Sequence, residues 1–467
     1  MTGPLLIRSI PPVLIGLFGL ALLYLVILAH TGPDLQLRQP VAADQPSSKP
    51  GQQGEGPTYG QLTRSTGRPS QVKASWPQFR GPDRDGIYSD PSVRLATTWP
   101  EGGPKVLWSI DVGEGYAGAA VSNGCVYILD YDQAKKADAL RCLSLDDGQE
   151  VWRYSYPSKV KRNHGMSRTI PAVKDRFVVG LGPKCHVVCC DAADGTFLWG
   201  MDLVKDFGAT VPQWYAGQCP LIHRDRLILG VGGKDLMMAV ALHDGSIIWR
   251  TPNPQGWAMT HSSIAFMDLG GLQMYIWCTS GGIVGVDAND GQVLWSYPDW
   301  RITIANVPSP LVIGDGRLFV CGDYNSGAMM LRLTRGQGGV LVEPLYRLRP
   351  EVFGSPQHTP ILYDGHIFGV RPDGQLVCLD LDGKVAWTSG PSYRFGRGPY
   401  AIGNGLIYVL DDEGTLTLAQ ASPDAFSPLS RARVLGGHES WAPMAFAAGR
   451  LIIRDLTRMV CLDIRQQ

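Results

Sequence analysis

The sequence carries no net charge, with 42 Lys and Arg against 42 Asp and Glu. Nucleic-acid binding draws on a surplus of basic side chains, so this balance gives no reason to expect such a partner. Several catalytic signatures are also missing. There is no glycine-rich phosphate loop, no His-Glu-x-x-His zinc motif and no Gly-x-Ser-x-Gly nucleophile elbow. Asp83-Arg84-Asp85-Gly86 begins like a calcium loop, but the later ligands and the closing Glu do not follow, so it reads as a plain turn with no metal. What is abundant is Gly (57) and Pro (34), as a chain of many short strands and tight turns requires.

Trp108, Trp152, Trp199, Trp249, Trp295 and Trp387 are spaced by 44, 47, 50, 46 and 92 residues. The last gap is two periods, and one period is the length of a four-stranded sheet, so the chain reads as a radial array of similar sheets. Five of the tryptophans follow an Asp-containing turn that ends in Gly148, Gly195, Gly245, Gly291 or Gly383. Asp-Gly supplies the positive-φ residue of a β-hairpin, which here closes strand C onto outer strand D. A second turn recurs eight times, near Gly124, Asp175, Asp225, Gly271, Gly316, Gly365, Gly405 and Gly449, each before an apolar β-rich run. These mark inner strands A turning into strands B. Pro171, Pro220, Pro310, Pro360, Pro399 and Pro443 open the A strands, where a proline costs no ladder bond.

The fold expected is therefore all-β: an eight-bladed β-propeller of four-stranded blades. Two D strands lack Trp, near Pro344–Leu348 and Arg431–Leu435. Val106–Val112 is a D strand with no A, B and C before it. Its partners are expected in Trp441–Ile464, so the last blade joins both termini and leaves no open edge. The six periodic tryptophans are expected to wedge between neighbouring blades.

Four segments are expected: a cytoplasmic tip (1–9), a transmembrane signal anchor (10–30), a flexible linker (31–75) and the propeller (76–467). No charge falls between Ile10 and Ala29, and twenty residues at about 1.5 Å each span a bilayer core of about 30 Å. Arg8 precedes the run, which places the N-terminus in the cytoplasm and the propeller on the periplasmic, extracytoplasmic side. A cleaved signal peptide is the alternative, but Ile27-Leu28-Ala29-His30 is a poor cleavage site.

Cys142, Cys189, Cys378 and Cys461 occupy one slot of the repeat, so they read as small buried apolar residues, and at most one disulfide is expected. Cys125, Cys278 and Cys321 fall in or at the end of B strands, whereas Cys185 and Cys219 have no assigned place in the repeat.

The unit strand–Cys–Leu–Asp–x–x–x–Gly–x–x–x–Trp resembles the PQQ-like β-propeller repeat, from Trp76 to Ile464. That family includes pyrroloquinoline quinone alcohol dehydrogenases and the outer-membrane assembly lipoprotein BamB. The lead-in Trp76-Pro77-Gln78-Phe79-Arg80-Gly81-Pro82 is similar to that of exported members. The dehydrogenase branch implies adjacent disulfide-bonded cysteines over the quinone, a stacking Trp, a calcium ion and a catalytic Asp. Only Cys189-Cys190 has a formal match, and it falls in the repeat slot, where successive side chains point to opposite faces. There is also no Cys-x-x-Cys-His haem site. No catalytic residue or cofactor is carried over, and pyrroloquinoline quinone with calcium lacks support from site residues.

In such a ring the D-to-A connections rim one face. Here they offer a candidate funnel site made of His164, Arg168, Trp214, Tyr215, Trp257, His261, Trp300, Arg301, Asn306, His358, Tyr393, Arg394, Arg397 and Trp441. Trp214, Trp257 and Tyr393 each stand six residues before the start of an A strand, which suggests one height on the ring. Such a funnel presents stacking faces and cationic donors. No assembled catalytic group is visible. The preferred reading is a membrane-tethered extracytoplasmic scaffold, BamB-like, for protein partners at the membrane surface. A quinone-dependent dehydrogenase and a small-ligand sensor are the alternatives.

Overall fold

The computed structural model describes residues 59–466. They form eight antiparallel sheets, the blades of a propeller. Blade 1 runs from the inside outward as Ala120–Ser122, Cys125–Asp132, Ala137–Ser144 and Glu150–Pro157. Blades 2 to 7 occupy residues 172–202, 221–252, 265–297, 311–348, 361–388 and 400–433. Blade 8 contains Ala445–Ala447, Arg450–Arg454 and Arg458–Asp463, and its outer strand is Lys105–Asp111 from the other end of the chain, with Trp108 opposite Cys461. The expected closure by both termini is therefore present. The one helix among the described residues, Leu203–Phe207, is a single turn capped by the Asp202 side chain. The expected tip and transmembrane segment lie outside the described residues. Within them, no helix is long and apolar enough to cross a membrane.

Aromatic side chains of the outer strands lock blade to blade at several junctions. The Trp108 indole N–H donates to the Leu145 carbonyl at 2.9 Å, Trp152 to Ala192 at 3.1 Å and Trp199 to Leu242 at 2.9 Å. In each case the ring belongs to one blade and the acceptor to the following one. Each ring also lies over the turn glycine of that next blade: Gly148, Gly195 and Gly245 respectively. Blade 5 has no Trp at this point. Tyr346 takes its place, covering Gly383 and donating to Leu381 at 3.3 Å.

The pairing register explains the cysteine slot. Cys142, Cys189, Cys378 and Cys461 stand directly opposite Trp152, Trp199, Trp387 and Trp108. Blade 3 has Ala239 opposite Trp249, and blade 4 has Gly285 opposite Trp295. A small residue is needed because the indole folds back over its cross-strand neighbour. At Gly285 a Cβ would meet the Trp295 indole nitrogen at 2.1 Å. All ten cysteines are free thiols, and all are buried.

Two parts of the N-terminal region depart from the sequence reading. Residues 59–75 were assigned to the linker, yet Gln61–Arg64 forms a fifth strand on the outer edge of blade 1, antiparallel to Glu150–Pro157. Ser70 holds the following turn, bonding Gly124 through its backbone at 2.9 Å and Asp146 through its hydroxyl at 2.7 Å. An edge strand is held by backbone hydrogen bonds along a ready-made row of donors and acceptors, and these do not require an apolar period.

The lead-in from Trp76 to Tyr88 plugs the central channel. Trp76 exchanges two backbone bonds with Val121 of blade 1, and Val173 of blade 2 donates to Pro77 at 2.7 Å. Across the channel, Ile87–Tyr88 pairs in parallel with Tyr400–Gly403 of blade 7. Between them the Arg80 guanidinium donates to the carbonyls of Thr359 (2.7 Å), Pro360 (2.9 Å), Asp85 (2.6 Å) and Arg84 (3.0 Å). Gly81 has φ +85° and stacks on Trp76, where a Cβ would approach the ring to 2.8 Å, so glycine is required.

Candidate functional site

Above the plug, connections from around the ring converge on a cavity of about 210 Å³. Phe79 of the plug lines it, together with residues of the loops that lead into the inner strands. Seven of the residues picked from sequence line this cavity: His164, Arg168, Trp214, His261, His358, Arg397 and Trp441.

The other seven lie elsewhere. Trp300 is fully buried in the core between blades 4 and 5. Asn306 is buried beneath the funnel wall, and its backbone carbonyl accepts from His261. Arg301 donates to the Gly281 and Pro298 carbonyls, and Arg394 to that of Asp373. The Tyr215 hydroxyl donates to the Lys161 carbonyl on the rim. Trp257 lies against Gly281, and Tyr393 packs edge-on against Phe426. Of the three aromatics sharing the six-residue offset, only Trp214 therefore reaches the cavity. The loops carry different anchors: Asn253 brackets Trp257 with bonds of 3.0 Å to both its backbone N–H and its carbonyl.

Tyr116, Asp323, Tyr324 and Phe79 were missed from sequence. Tyr116 sits on the connection from blade 8 to blade 1, and the D-to-A rule extended to that junction would have found it. Asp323 and Tyr324 sit on the turn between strands B and C of blade 5, which opens on the same face. Phe79 belongs to the plug, which has no counterpart in the repeat.

A four-membered stack forms one wall. The Arg168 guanidinium lies 4.9 Å from the centre of the Tyr116 ring, Tyr116 stacks on Trp441 at 5.2 Å, and Arg397 lies 5.6 Å from the Trp441 ring. Acidic groups hold the two rings in place: Tyr116 donates to Glu439 at 2.8 Å and the Trp441 indole to Asp412 at 2.6 Å. The two arginines differ in what they are free to do. Arg168 donates to the carbonyls of Trp214, His164, Asn163 and Gly165. Burial pulls it down to about 10, so it remains a cation at neutral pH. It props up Trp214 and Tyr215, two consecutive side chains in left-handed backbone at φ 63° and 74°. That conformation costs about 1–2 kcal/mol per residue and marks a place where backbone strain is maintained. The Arg397 backbone is anchored at both ends, its N–H on Asp412 and its carbonyl under the His358 ring, while its guanidinium makes no ion pair among the described residues.

His261 and His358 are both held down to about 4, chiefly by burial, with Arg168 and Arg80 respectively adding to the effect. Both are neutral at physiological pH. Neither ring is bonded to a carboxylate or to a nucleophile.

A buried carboxyl supports the wall from behind. Asp138 accepts from the Tyr156 hydroxyl and, at 3.2 Å, from Ser167, whose carbonyl holds the Tyr116 N–H at 2.7 Å. Burial pushes this carboxyl up to about 7; its hydrogen bonds to Tyr156 and Ser167 pull the other way, and Asp130 adds to the rise. A folded value above the unfolded one of about 3.9 means that the stability contributed is complete below pH ~4 and is lost as pH rises through about 7. Asp138→Asn should therefore flatten the pH 4–7 slope of unfolding free energy and stabilise the protein at pH 8 by on the order of a few kcal/mol. Denaturant titrations across that range test this, and an unchanged slope would contradict it.

The donor set does not fit a calcium-bound quinone. Cys189 and Cys190 leave blade 2 on opposite faces, one packed toward blade 3 and the other toward blade 1, and neither lines the funnel. The cavity lining holds one carboxylate, Asp323. Among the described residues no group of His, Cys, Asp and Glu is placed to hold a metal ion.

No curated protein matches the sequence. Among solved structures, BamB from Moraxella catarrhalis is similar at 13% identity and a TM-score of 0.53, over 77% of this chain and 99% of that one. Quinohemoprotein alcohol dehydrogenase from Comamonas testosteroni is similar at 12% identity and a TM-score of 0.60, over 84% and 81%. The corresponding enzyme ADHIIG from Pseudomonas putida HK5 has 12% identity and a TM-score of 0.57, over 84% and 80%. At such identities these likenesses speak for the fold alone. The family model for the outer membrane protein assembly factor BamB matches residues 136–389, more than half of the 467 residues. With the repeat and its blade-to-blade tryptophans in place, the chain belongs to this family of PQQ-like β-propellers.

Proposed function

We propose that this protein is a membrane-tethered, extracytoplasmic propeller that docks a protein partner at its funnel, with residues 10–30 as the anchor. The observation that carries this reading is the lining of the cup. It offers stacked aromatic rings and, among the described residues, a guanidinium with no ion pair and two neutral imidazoles bonded to no catalytic partner. Such surfaces are enriched in the Trp, Tyr and Arg anchors that dominate protein interfaces. Size supports the same reading. At about 210 Å³ the cavity is smaller than the roughly 300–1,000 Å³ of cofactor and small-molecule sites, and suits an inserted side chain or short segment. The assembly role in the name of the matching family model is consistent with a protein partner.

Affinity purification of the full-length chain from membranes tests the reading. Trp441→Ala should reduce recovery of the co-purifying partner by about 30-fold, the loss expected for an interface hot spot. Leu341→Ser, on the outer strand of blade 5, should leave recovery unchanged. The opposite pattern would move the interface to the blade edges, and protease protection of the propeller in intact cells would check its side of the membrane.

A further inference from the structure

We infer that the funnel recognises an acidic peptide segment, in which an aspartate or glutamate side chain pairs with Arg397 while a neighbouring apolar side chain rests on Phe79. This rests on the docking reading above and names the chemistry of the partner. Three observations carry it.

The first is charge complementarity. Arg168 and Arg397 are the cations that line the cavity, and Asp323 is its carboxylate. Arg168 is committed to four backbone carbonyls. Asp412 and Glu439 lie behind the aromatic wall and are engaged by Trp441 and Tyr116. Arg397 is therefore the cation available to a ligand. Its planar group, fixed over Trp441, suits two parallel bonds to a carboxylate.

The second is an unmatched ring nitrogen. His261 is 8% exposed and lines the cavity, and its Nε2 has no hydrogen-bond partner. A peptide group, which carries both an N–H donor and a C=O acceptor, satisfies that nitrogen in either tautomer, whereas a carboxylate or phosphate offers acceptors alone. A ligand suited to this cup brings a backbone peptide group for His261 and an anion for Arg397, as an acidic residue in a peptide does.

The third is apolar lining. Phe79 of the plug, Trp214 and Pro443 add apolar side chains to the same cavity that Arg397 and His261 line.

The probes are two N-acetylated, C-amidated hexapeptides, Gly-Gly-Phe-Asp-Gly-Gly and the same peptide with Asn in place of Asp. Each is titrated into the purified full-length protein and followed by tryptophan fluorescence and calorimetry. The Asp peptide should bind at least tenfold more tightly than the Asn peptide, and the gap should narrow with added salt. Arg397→Ala should abolish the gap, Arg397→Lys should keep part of it, and His261→Phe should weaken both peptides alike. Circular dichroism and the unfolding midpoint report whether each variant is folded; the Arg397 guanidinium lies over the Trp441 ring at the cavity wall and close enough to Tyr324 to act on it, and its removal should leave both unchanged. Equal binding of the two peptides, a gap that survives Arg397→Ala, or binding of neither peptide would overturn the inference. So would calcium-free pyrroloquinoline quinone binding more tightly than the Asp peptide. Loss of partner recovery in Trp441→Ala alongside equal peptide binding would leave funnel docking standing and remove only the acidic recognition.

Discussion

Arg454→Ala should lower the unfolding free energy by about 3–5 kcal/mol, measured by denaturant titration. Arg454 ends the second strand of blade 8 and is 1% exposed. Its guanidinium donates to Leu456 at 2.7 Å and Asp455 at 2.9 Å in its own blade. It also donates to Gly113 at 2.8 Å and Ala117 at 3.5 Å, on the segment that leads into blade 1. One side chain thus stitches the two ends of the chain together at the ring closure. Burial lowers it to about 10, while Asp130 and Asp455 pull it back up, so the cation persists at neutral pH. Alanine would strand several buried carbonyls at about 1–3 kcal/mol each, less what water recovers on entering. Lysine, a single ammonium centre, cannot span both groups of acceptors and should recover less than half of the loss. A loss below about 1 kcal/mol for the alanine variant would mean that the terminal strands hold the ring without this stitch.

Trp152→Ala should cost about 3–5 kcal/mol as well, for a different reason. The side chain is fully buried between blades 1 and 2, over Gly195 and opposite Cys142. Its removal empties an indole-sized space between two sheets that cannot close up without breaking their own pairing. The hydrogen bond is the lesser part, because the Ala192 carbonyl also accepts from Tyr127 at 3.0 Å. Trp152→Phe, which loses that bond but keeps most of the volume, should cost only about 1–2 kcal/mol. Similar costs for Phe and Ala would show that the bond, not the packing, is what matters.

These two sites also show what can be read from the sequence and what cannot. Trp152 was legible because each wedge recurs at one point of the repeat. Its spacing yields the repeat length, the eight turns from strand A to strand B yield the blade count, and the orphan strand around Trp108 yields the closure. Arg454 carried no such signal, since the acceptors it reaches across the closure, Gly113 and Ala117, lie more than three hundred residues away along the chain. The plug was illegible for a related reason: Trp76–Tyr88 is held by backbone bonds and by Arg80 to four carbonyls, none of which leaves a periodic trace. Within the funnel, the loops that rim it could be named, but not how far each side chain reaches. Trp214 enters the cavity because Arg168 props its strained backbone, whereas Trp300, on an equivalent connection, turns into the core between blades.

The central claim, that the partner inserts at the funnel, is tested most directly by site-specific photo-crosslinking in intact cells. A photoreactive residue replaces Tyr324 on the funnel wall or, in a second variant, Leu341 on the outer strand of blade 5, which is 57% exposed. The account predicts one discrete protein adduct from position 324 that disappears in the Arg397→Ala background, and none from position 341. An adduct from position 341 with none from position 324 would contradict it.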